Sequence, residues 1–355
     1  MRGVVFRGAR KLETLRIDDP VPGPKEVVVE MKASGMCGSD LHYYRGDPVA
    51  MMKARGEASL AARGIDPEAP VIAGHEPCGV IAELGAGADP RFKVGDRVMI
   101  HHYDGCGCCG SCRTGWTQLC DEGVTTNGVL RHGGHADYIK VSDSQLVHLP
   151  EEISFVGGAA VSCGTGTAYG AMVRLDLSAR DTLAVFGLGP VGLSAVQLAS
   201  AMGVEVIGVD ISAERVAKAR AFGAAHAIDG SKLDAVEEIH KLTGGRGATC
   251  AMECAGGEIA KQQAVRATAP WGRIALVAIG GNLNVDGMKD IIAKQRTLIG
   301  SYTFSFTGMT ECARFIASHG VDLDLLFSDR WSLDQAEEAY IDFDKQTGGK
   351  GVFVF

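Results

Sequence analysis

The run from Thr182 to Asp210 constrains the possible folds of this chain more than any other part of its sequence. An apolar segment, Thr182–Phe186, leads directly into the glycine-rich turn Gly187-Leu-Gly-Pro-Val-Gly192. An apolar-periodic stretch ending near Gly203 follows, and then a second apolar segment, Val204–Asp210. This order predicts a strand, a turn, a helix and a second strand parallel to the first.

The same alternation continues further along the chain. Ser212–Phe222 predicts a helix, with Gly223 placed to end it. Further strands are predicted at Ala248–Met252, Arg273–Ile279 and Thr297–Tyr302. Alternating strands and helices of this kind predict an α/β domain with a doubly wound parallel sheet, the Rossmann fold.

The glycine-rich turn predicts a dinucleotide site. Gly187 allows the tight turn, Gly189 lets the backbone approach a pyrophosphate, and Gly192 lets helix and strand pack closely. Pro190 and Val191 open the helix, whose free N–H groups and positive dipole end would hold the anion.

Asp210 lies at the end of the second predicted strand, eighteen residues after Gly192. Its carboxylate can accept hydrogen bonds from both ribose hydroxyls, and it would repel a 2′-phosphate. We therefore expect NAD rather than NADP. Arg215 is a further cofactor candidate and the main argument for NADP, unless its charge lies on the solvated side of the helix.

The sequence of the rest of the chain predicts a second, β-rich domain. Glu26–Met31, Cys78–Leu84 and Asp96–Ile100 are β-rich runs separated by Gly, Pro and Asp. We expect residues 1–164 and 299–355 to form this domain and residues 165–298 to form the Rossmann domain. Residues 46–70 look like an inserted helical segment, either a surface addition or a wall of the substrate pocket or of a subunit contact.

The amino-acid composition limits the classes of partner that we expect this protein to bind. The chain has 355 residues, a formal net charge of −8 and 46% hydrophobic residues. An acidic chain is a poor fit to nucleic acid or to an anionic membrane surface. Charges break every apolar run near Met1, so we expect no signal peptide, no membrane span and a cytoplasmic protein. Eleven cysteines in that setting favour metal binding over disulfides.

Four cysteines predict a structural zinc site. Their spacing is Cys106-x2-Cys109-x2-Cys112-x7-Cys120, which places four thiolates in one loop. Four sulfur ligands complete tetrahedral zinc and leave no position for a substrate. Cys108 is a fifth thiol that this pattern does not need.

A second set of metal-ligand types is dispersed along the chain. Cys37, His75 and Cys163 together would give zinc three ligands and leave one position open, which is the condition for catalysis. Their separation does not group them, and each taken alone could equally be a buried core residue.

These motifs in this order resemble the zinc-containing alcohol dehydrogenases of the medium-chain dehydrogenase/reductase superfamily. The segment Gly74-His-Glu-Pro-Cys-Gly79 fits the family pattern in detail. The resemblance implies a GroES-like catalytic domain beside the Rossmann domain, NAD as the cofactor, and two zinc ions per chain. It also implies that Cys37, His75 and Cys163 hold the catalytic zinc.

The resemblance assigns further roles near these ligands. Asp40 matches the carboxylate that orients the ligating histidine, and Glu76 matches an acid that approaches the metal during ligand exchange. Ser39 and His42 match the proton-relay positions. Lys350 matches a cation that related enzymes place on the cofactor pyrophosphate.

The substrate is less defined by the sequence. His102 lies where relatives place a pocket wall, and a histidine there favours a secondary alcohol or polyol. The context Gly38-Ser-Asp-Leu-His42 resembles both sorbitol and threonine dehydrogenases, so an amino-alcohol substrate is an alternative. A non-catalytic dinucleotide-binding protein is a more distant one. The resemblance implies a homotetramer or a homodimer.

Overall fold

A computed structural model describes residues 1–54, 60–61, 63–346 and 349–355. The chain divides into two compact units, one built from Met1–Cys163 and Ser305–Phe355 and the other from Gly164–Phe304. In chain order the strands are β1 Arg2–Gly8, β2 Lys11–Arg16, β3 Glu26–Gly35, β4 Glu76–Leu84, β5 Arg97–Ile100, β6 Tyr103–Asp104, β7 Thr125–Thr126, β8 Tyr138–Ser142, β9 Leu146–His148, β10 Thr182–Phe186, β11 Glu205–Asp210, β12 His226–Asp229, β13 Ala248–Glu253, β14 Thr268–Leu276, β15 Thr297–Gly300, β16 Phe327–Trp331 and β17 Lys350–Val354.

Most helices of the first unit are short, and the helices of the second unit are longer and regular. They are α1 Asp40–Arg45, α2 Pro48–Lys53, α3 Gly110–Arg113, α4 Phe155–Ala160, α5 Gly166–Arg174, α6 Pro190–Ala201, α7 Ala213–Ala221, α8 Ala235–Leu242, α9 Glu258–Arg266, α10 Phe306–His319 and α11 Ala336–Asp344. A π-helical turn, Val161–Thr165, separates α4 from α5.

The first unit is built on a seven-stranded sheet in the order β16-β17-β3-β4-β5-β9, with β8 also paired to β3. Val27, Val29, Ile81 and Val98 are fully or almost fully buried in its core. β17 pairs with β3 at Val352 and Gly35, and β3 pairs with β4 at Gly35 and Glu76. The sheet therefore brings the end of β3, the start of β4 and the start of β17 together.

The second unit is a six-stranded parallel sheet in the order β12-β11-β10-β13-β14-β15. The strand order reverses between β10 and β13, which is where open α/β sheets bind ligands at the carboxyl ends of their strands. Ser212 caps α7 by accepting a hydrogen bond from the Arg215 backbone N–H, and Gly223 follows the helix with φ of +102°. The predicted α/β fold class is confirmed.

The structure differs from the sequence prediction in two places in this unit. β14 begins at Thr268 and ends at Leu276, earlier than the predicted run Arg273–Ile279, because Val277 and Ala278 leave the strand to bond the Glu253 carbonyl. The expected domain boundary at residues 298/299 would cut β15, which pairs with β14, and the compact unit continues to Phe304.

The predicted insertion at residues 46–70 contains the short helix α2. Residues 55–59 and 62 of this segment lie outside the described residues, so a helix across the whole insertion is not tested. Across the described part of the chain, every helix is too short or too polar to cross a bilayer.

Candidate functional site

The three dispersed candidate ligands meet in the first unit. Donor atoms of Cys37, His75, Glu76 and Cys163 all lie within 4.8 Å of one another. Cys37 follows the end of β3, His75 directly precedes β4, and Cys163 lies in the π-helical turn, a conformation common at functional sites. Two thiols and an imidazole are donors that zinc prefers, so the residues present fit this metal.

Asp40 orients His75. The His75 Nδ1–H donates to Asp40 Oδ1 at 2.9 Å, and the Cys37 backbone N–H donates to Asp40 Oδ2 at 2.9 Å. Because Asp40 accepts at Nδ1, the lone pair of His75 lies on Nε2, the nitrogen available to a metal. A hydrogen bond from Cys163 lowers the pKa of Cys37 well below its ordinary value, in spite of burial. A lowered pKa favours the thiolate that metal binding requires.

Ser39 lies beside two of these candidate ligands. Its hydroxyl oxygen is 3.2 Å from Cys37 Sγ and 3.3 Å from His75 Nε2. His42 is exposed on α1, the helix that begins after Ser39. The structure thus has a hydroxyl next to the donor cluster and an imidazole at the surface a few residues away.

Glu76 forms a buried ion pair that sequence reasoning did not anticipate. Its carboxylate Oε2 is 2.5 Å from Lys350 Nζ, and the two side chains are 0% and 2% exposed. Lys350 also donates to the Met36 carbonyl at 3.1 Å. Burial raises the pKa of Glu76 to about 7, although the Lys350 charge opposes this. The predicted contact of Lys350 with the cofactor stays a prediction.

Glycine makes room for this pair. A Cβ at Gly35 would lie 2.0 Å from Glu76 Oε2, so a larger residue at the end of β3 would displace the carboxylate.

The four-cysteine cluster lies in a separate lobe of the same unit. Donor atoms of Cys106, Cys109, Cys112 and Cys120 all lie within 4.8 Å of one another. Backbone N–H groups donate to the sulfurs of Cys120, Cys106 and Cys109 at 3.3 to 3.4 Å. Such N–H groups, from Cys108 and Cys109, lower the pKa of Cys106 to about 6. Cys108 Sγ lies 3.6 Å from Cys106 Sγ and is not a member of the cluster.

The glycine turn of the second unit has the shape that its sequence predicts. Gly187 has φ of +91°, and a Cβ at Gly192 would lie 1.8 Å from the Gly187 carbonyl oxygen. A Cβ at Gly189 would meet no described atom within 4 Å, so its backbone is open to approach. Pro190 and Val191 form the first turn of α6.

Asp210 is bonded to this turn. Its carboxylate accepts the Leu188 backbone N–H at 2.7 Å and the Ser212 backbone N–H at 2.8 Å. Arg215 lies nearby, with a guanidinium nitrogen 3.9 Å from Asp210 Oδ2. Two ionised oxygens have about four acceptor positions, so the carboxylate retains capacity for a ligand.

His102 lies against the first cluster. Its ring packs edge-on to that of His75 with centroids 5.2 Å apart, and its Nδ1 donates to the Ser162 carbonyl at 3.0 Å. Burial lowers the pKa of His102 well below its ordinary value, so the ring is neutral.

The chain matches two family models. One, described as the alcohol dehydrogenase GroES-like domain, matches residues 23–151, and the other, described as zinc-binding dehydrogenase, matches residues 190–318.

Individual relatives extend over the whole chain. It is 37% identical to the uncharacterized zinc-type alcohol dehydrogenase-like protein YphC of Escherichia coli (strain K12), over 100% of this chain and 99% of the relative. It is 32% identical to sorbitol dehydrogenase of Bacillus subtilis (strain 168), over 96% and 92% respectively. Among solved structures, the 2R,3R-butanediol dehydrogenase of Bacillus subtilis superposes with a TM-score of 0.85 at 28% identity, covering 100% of this chain and 99% of that one.

These matches confirm the resemblance drawn from the motifs, including the GroES-like and Rossmann-like domains. A nicotinamide dinucleotide and zinc are the cofactors that this family indicates. The chain belongs to the zinc-containing alcohol dehydrogenases of the medium-chain dehydrogenase/reductase superfamily, and it is an oxidoreductase.

Proposed function

We propose that this protein is an NAD-linked dehydrogenase that interconverts a secondary alcohol or polyol and its ketone at a zinc held by Cys37, His75 and Cys163. The observation that carries the proposal is the largely buried cluster in which these three donors lie within 4.8 Å of one another. Zinc bound there would supply Lewis-acid polarisation of the oxygen of the alcohol or carbonyl.

Three ligands rather than four are central to this proposal. Glu76 is the fourth member of the cluster, and its carboxylate is held by Lys350 at 2.5 Å. A carboxylate held in this way leaves the fourth metal position to the substrate, which a catalytic zinc site requires. The four-cysteine cluster contains no residue that is held in this way, so all four of its members can bind the metal. We therefore propose a second, structural zinc there.

We propose that Ser39 and His42 move the proton of the alcohol. The Ser39 hydroxyl lies beside two of the proposed ligands and can accept or donate a proton through its oxygen. His42 is exposed, so its ring nitrogens can exchange a proton with water. Asp40 keeps the ligating nitrogen of His75 available throughout.

NAD is the proposed cofactor because of Asp210. Its carboxylate is bonded to the glycine turn through the Leu188 N–H, so it lies at the end of β11 where the ribose of a dinucleotide would be. A 2′-phosphate there would meet a buried negative charge. Arg215, whose guanidinium nitrogen lies 3.9 Å from that carboxylate, is the residue that would favour NADP instead.

The substrate class rests on His102 and on the relatives. We propose that the neutral His102 ring, which packs against His75, lies beside the substrate, as the family resemblance implies. The relatives include a sorbitol dehydrogenase and a butanediol dehydrogenase, whose named substrates carry more than one hydroxyl. No observation favours a threonine-type substrate over a polyol.

We also propose a homo-oligomer, either a dimer or a tetramer. β15 is an edge strand of the six-stranded sheet, and Leu298 on it is 37% exposed. Trp271, Met288 and Ile292 are exposed by 61% or more in the neighbouring segments of the same unit. An unpaired edge beside apolar side chains suits pairing with a second copy.

We propose that the protein is located in the cytoplasm, because reduced thiols, which both clusters contain, persist in that compartment.

The experiment is a substrate panel with purified zinc-loaded protein. Reduction of NAD would be followed with secondary alcohols, vicinal diols, sugar alcohols and threonine, each also with NADP. We expect turnover on secondary alcohols or polyols with NAD. Turnover on threonine alone would contradict the proposed substrate class, and a preference for NADP would contradict the proposed role of Asp210.

A further inference from the structure

A chain of buried hydrogen bonds ends at Asp40 and is not used by the chemistry above. Ser34 Oγ lies 2.8 Å from His135 Nδ1, and His135 Nε2 lies 2.8 Å from the Tyr340 hydroxyl. The Tyr340 hydroxyl lies 3.5 Å from Asp40 Oδ2. Ser34, His135 and Tyr340 are each 0% exposed.

The donors and acceptors of this chain can be assigned one direction. Ionised Asp40 can only accept, so the Tyr340 hydroxyl donates to it, and the Tyr340 oxygen then accepts from His135 Nε2–H. Burial lowers the pKa of His135 to about 4, so its ring is neutral and Nδ1 must accept, from the Ser34 hydroxyl. Every group has one role, and all of the bonds point toward Asp40.

The segment carrying His135 also holds the loop that carries His75. The His135 N–H donates to the Ala73 carbonyl at 2.9 Å, and the Gly134 N–H donates to the Gly74 carbonyl at 2.8 Å. A Cβ at Gly74 would lie 2.4 Å from His135 Nδ1, so the imidazole packs directly on the residue before His75.

Tyr340 is held from the other side. It lies on α11, and its ring packs edge-on to Phe6 with centroids 4.9 Å apart and against Tyr44 at 5.3 Å. These contacts fix the ring, so the hydroxyl is directed at Asp40 without the cost of ordering a free side chain.

We propose that Tyr340 and His135 are positioning residues for the proposed catalytic zinc, acting through Asp40 on the ligand His75. This rests on the proposed zinc site. Outer partners of metal ligands commonly affect metal affinity by roughly 10- to 100-fold. Tyr340 is one bond further from the metal and its bond is long, so we expect an effect of roughly 3- to 10-fold, below that range.

The test is a zinc titration of the metal-free protein in buffers of fixed free zinc, with bound zinc counted per chain. The Cys37→Ser variant lacks one proposed ligand and identifies which binding step belongs to the catalytic cluster. Tyr340→Phe removes the hydroxyl and keeps the ring. It should weaken the catalytic step roughly 3- to 10-fold and leave the step of the four-cysteine cluster unchanged.

Tyr44→Phe is the matched control, because it removes a hydroxyl from the neighbouring buried ring, and within the described residues that hydroxyl does not hydrogen-bond to Asp40. His135→Gln keeps a donor near the Nε2 position and should bind zinc almost as well as the wild type. His135→Leu should match Tyr340→Phe, and the two changes combined should be no worse than either alone, because both interrupt one chain.

Cobalt provides a readout that packing alone does not move. In the cobalt-substituted protein, the visible ligand-field bands report the geometry at the metal, and they should shift in Tyr340→Phe but not in Tyr44→Phe. Unchanged zinc affinity and spectrum in Tyr340→Phe would overturn the inference, as would equal effects in Tyr44→Phe. If Cys37→Ser binds as much zinc as the wild type, the proposed zinc site itself is wrong. If His135→Leu does not fold, the zinc affinities of Tyr340→Phe and His135→Gln still test the inference.

Discussion

At the scale of single residues, the Glu76–Lys350 pair combines burial with charge. Both side chains are removed from water, so each charge depends on the other for compensation. Removing one partner of such a pair leaves the other charge buried and uncompensated, which typically costs about 3–5 kcal/mol.

Lys350→Met should therefore lower the free energy of unfolding of the metal-free protein by about 3–5 kcal/mol at a pH above about 7, where Glu76 is ionised in the wild type. Urea unfolding measures this. The double variant Lys350→Met with Glu76→Gln removes both charges and should recover most of the loss. If the double variant is no more stable than the single one, the ion pair is not the source of the effect.

His135 gives a second residue-scale prediction, on pH. Its pKa is about 4 in the folded protein and has an ordinary value of 6.5. Between these pH values the unfolded chain binds a proton that the folded protein does not, so stability falls as the pH is lowered from about 6.5 to about 4.

His135→Gln removes this titration. Its free energy of unfolding should fall less steeply than that of the wild type over the same pH interval, by at most about 1.4 kcal/mol per pH unit. The measurement is urea unfolding at several pH values for both proteins. Parallel slopes would mean that His135 is protonated in the folded state and that burial does not hold it neutral.

At the scale of elements, the turn between β10 and α6 depends on the residue that ends β11. Asp210→Gly should weaken NAD binding far more than NADP binding, because it removes both the ribose acceptor and the charge that repels a 2′-phosphate. Asp210→Asn keeps an acceptor for the Leu188 N–H and separates loss of charge from loss of the turn. An unchanged cofactor preference in both variants would show that the ribose contact lies elsewhere.

The four-cysteine lobe is the second element whose function can be isolated. Cys109→Ser should lose one zinc and increase hydrogen exchange across residues 103–126, because zinc held by this cluster would cross-link the segment between β6 and β7. Cys108→Ser is the control, since Cys108 lies outside the cluster, and it should keep its zinc. Full zinc content in Cys109→Ser would contradict a structural site.

Some secondary-structure elements could be predicted from the sequence and others could not. The glycine turn was predictable because Gly187 and Gly192 meet steric demands that no other residue satisfies. The end of β14 was not, because Val277 and Ala278 look like a continuing strand until their bonds to Glu253 are known. The spacing of four cysteines in one loop is a local signal, and the structure assembles them as a group.

Contacts between residues far apart in the sequence could not be predicted from it, for a different reason. Lys350 meets Glu76 because β17 pairs with β3 and β3 with β4, and nothing local to either residue records that order. His135 and Tyr340 are 205 positions apart in sequence and meet only when the two chain segments of the first unit, Met1–Cys163 and Ser305–Phe355, pack together. The dispersed candidate ligands Cys37, His75 and Cys163 could be grouped from the family resemblance but not from spacing.

At the scale of the whole molecule, the edge of the six-stranded sheet is where a second copy would add. Leu298→Lys should lower the sedimentation mass toward that of one chain, because it places a charge on β15. Ile259→Lys is the control, since Ile259 is an exposed apolar residue on α9 and not on this edge strand. Dissociation in both variants, or in neither, would contradict assembly through β15.

The most direct test of the central claim is zinc content per chain in the wild type and in Cys37→Ser, measured together with NAD-linked turnover. Wild type should hold two zinc ions, one for each donor cluster, and Cys37→Ser should hold one and be inactive while remaining folded. A single zinc in the wild type, or two in Cys37→Ser, would contradict a catalytic metal at the cluster of Cys37, His75 and Cys163.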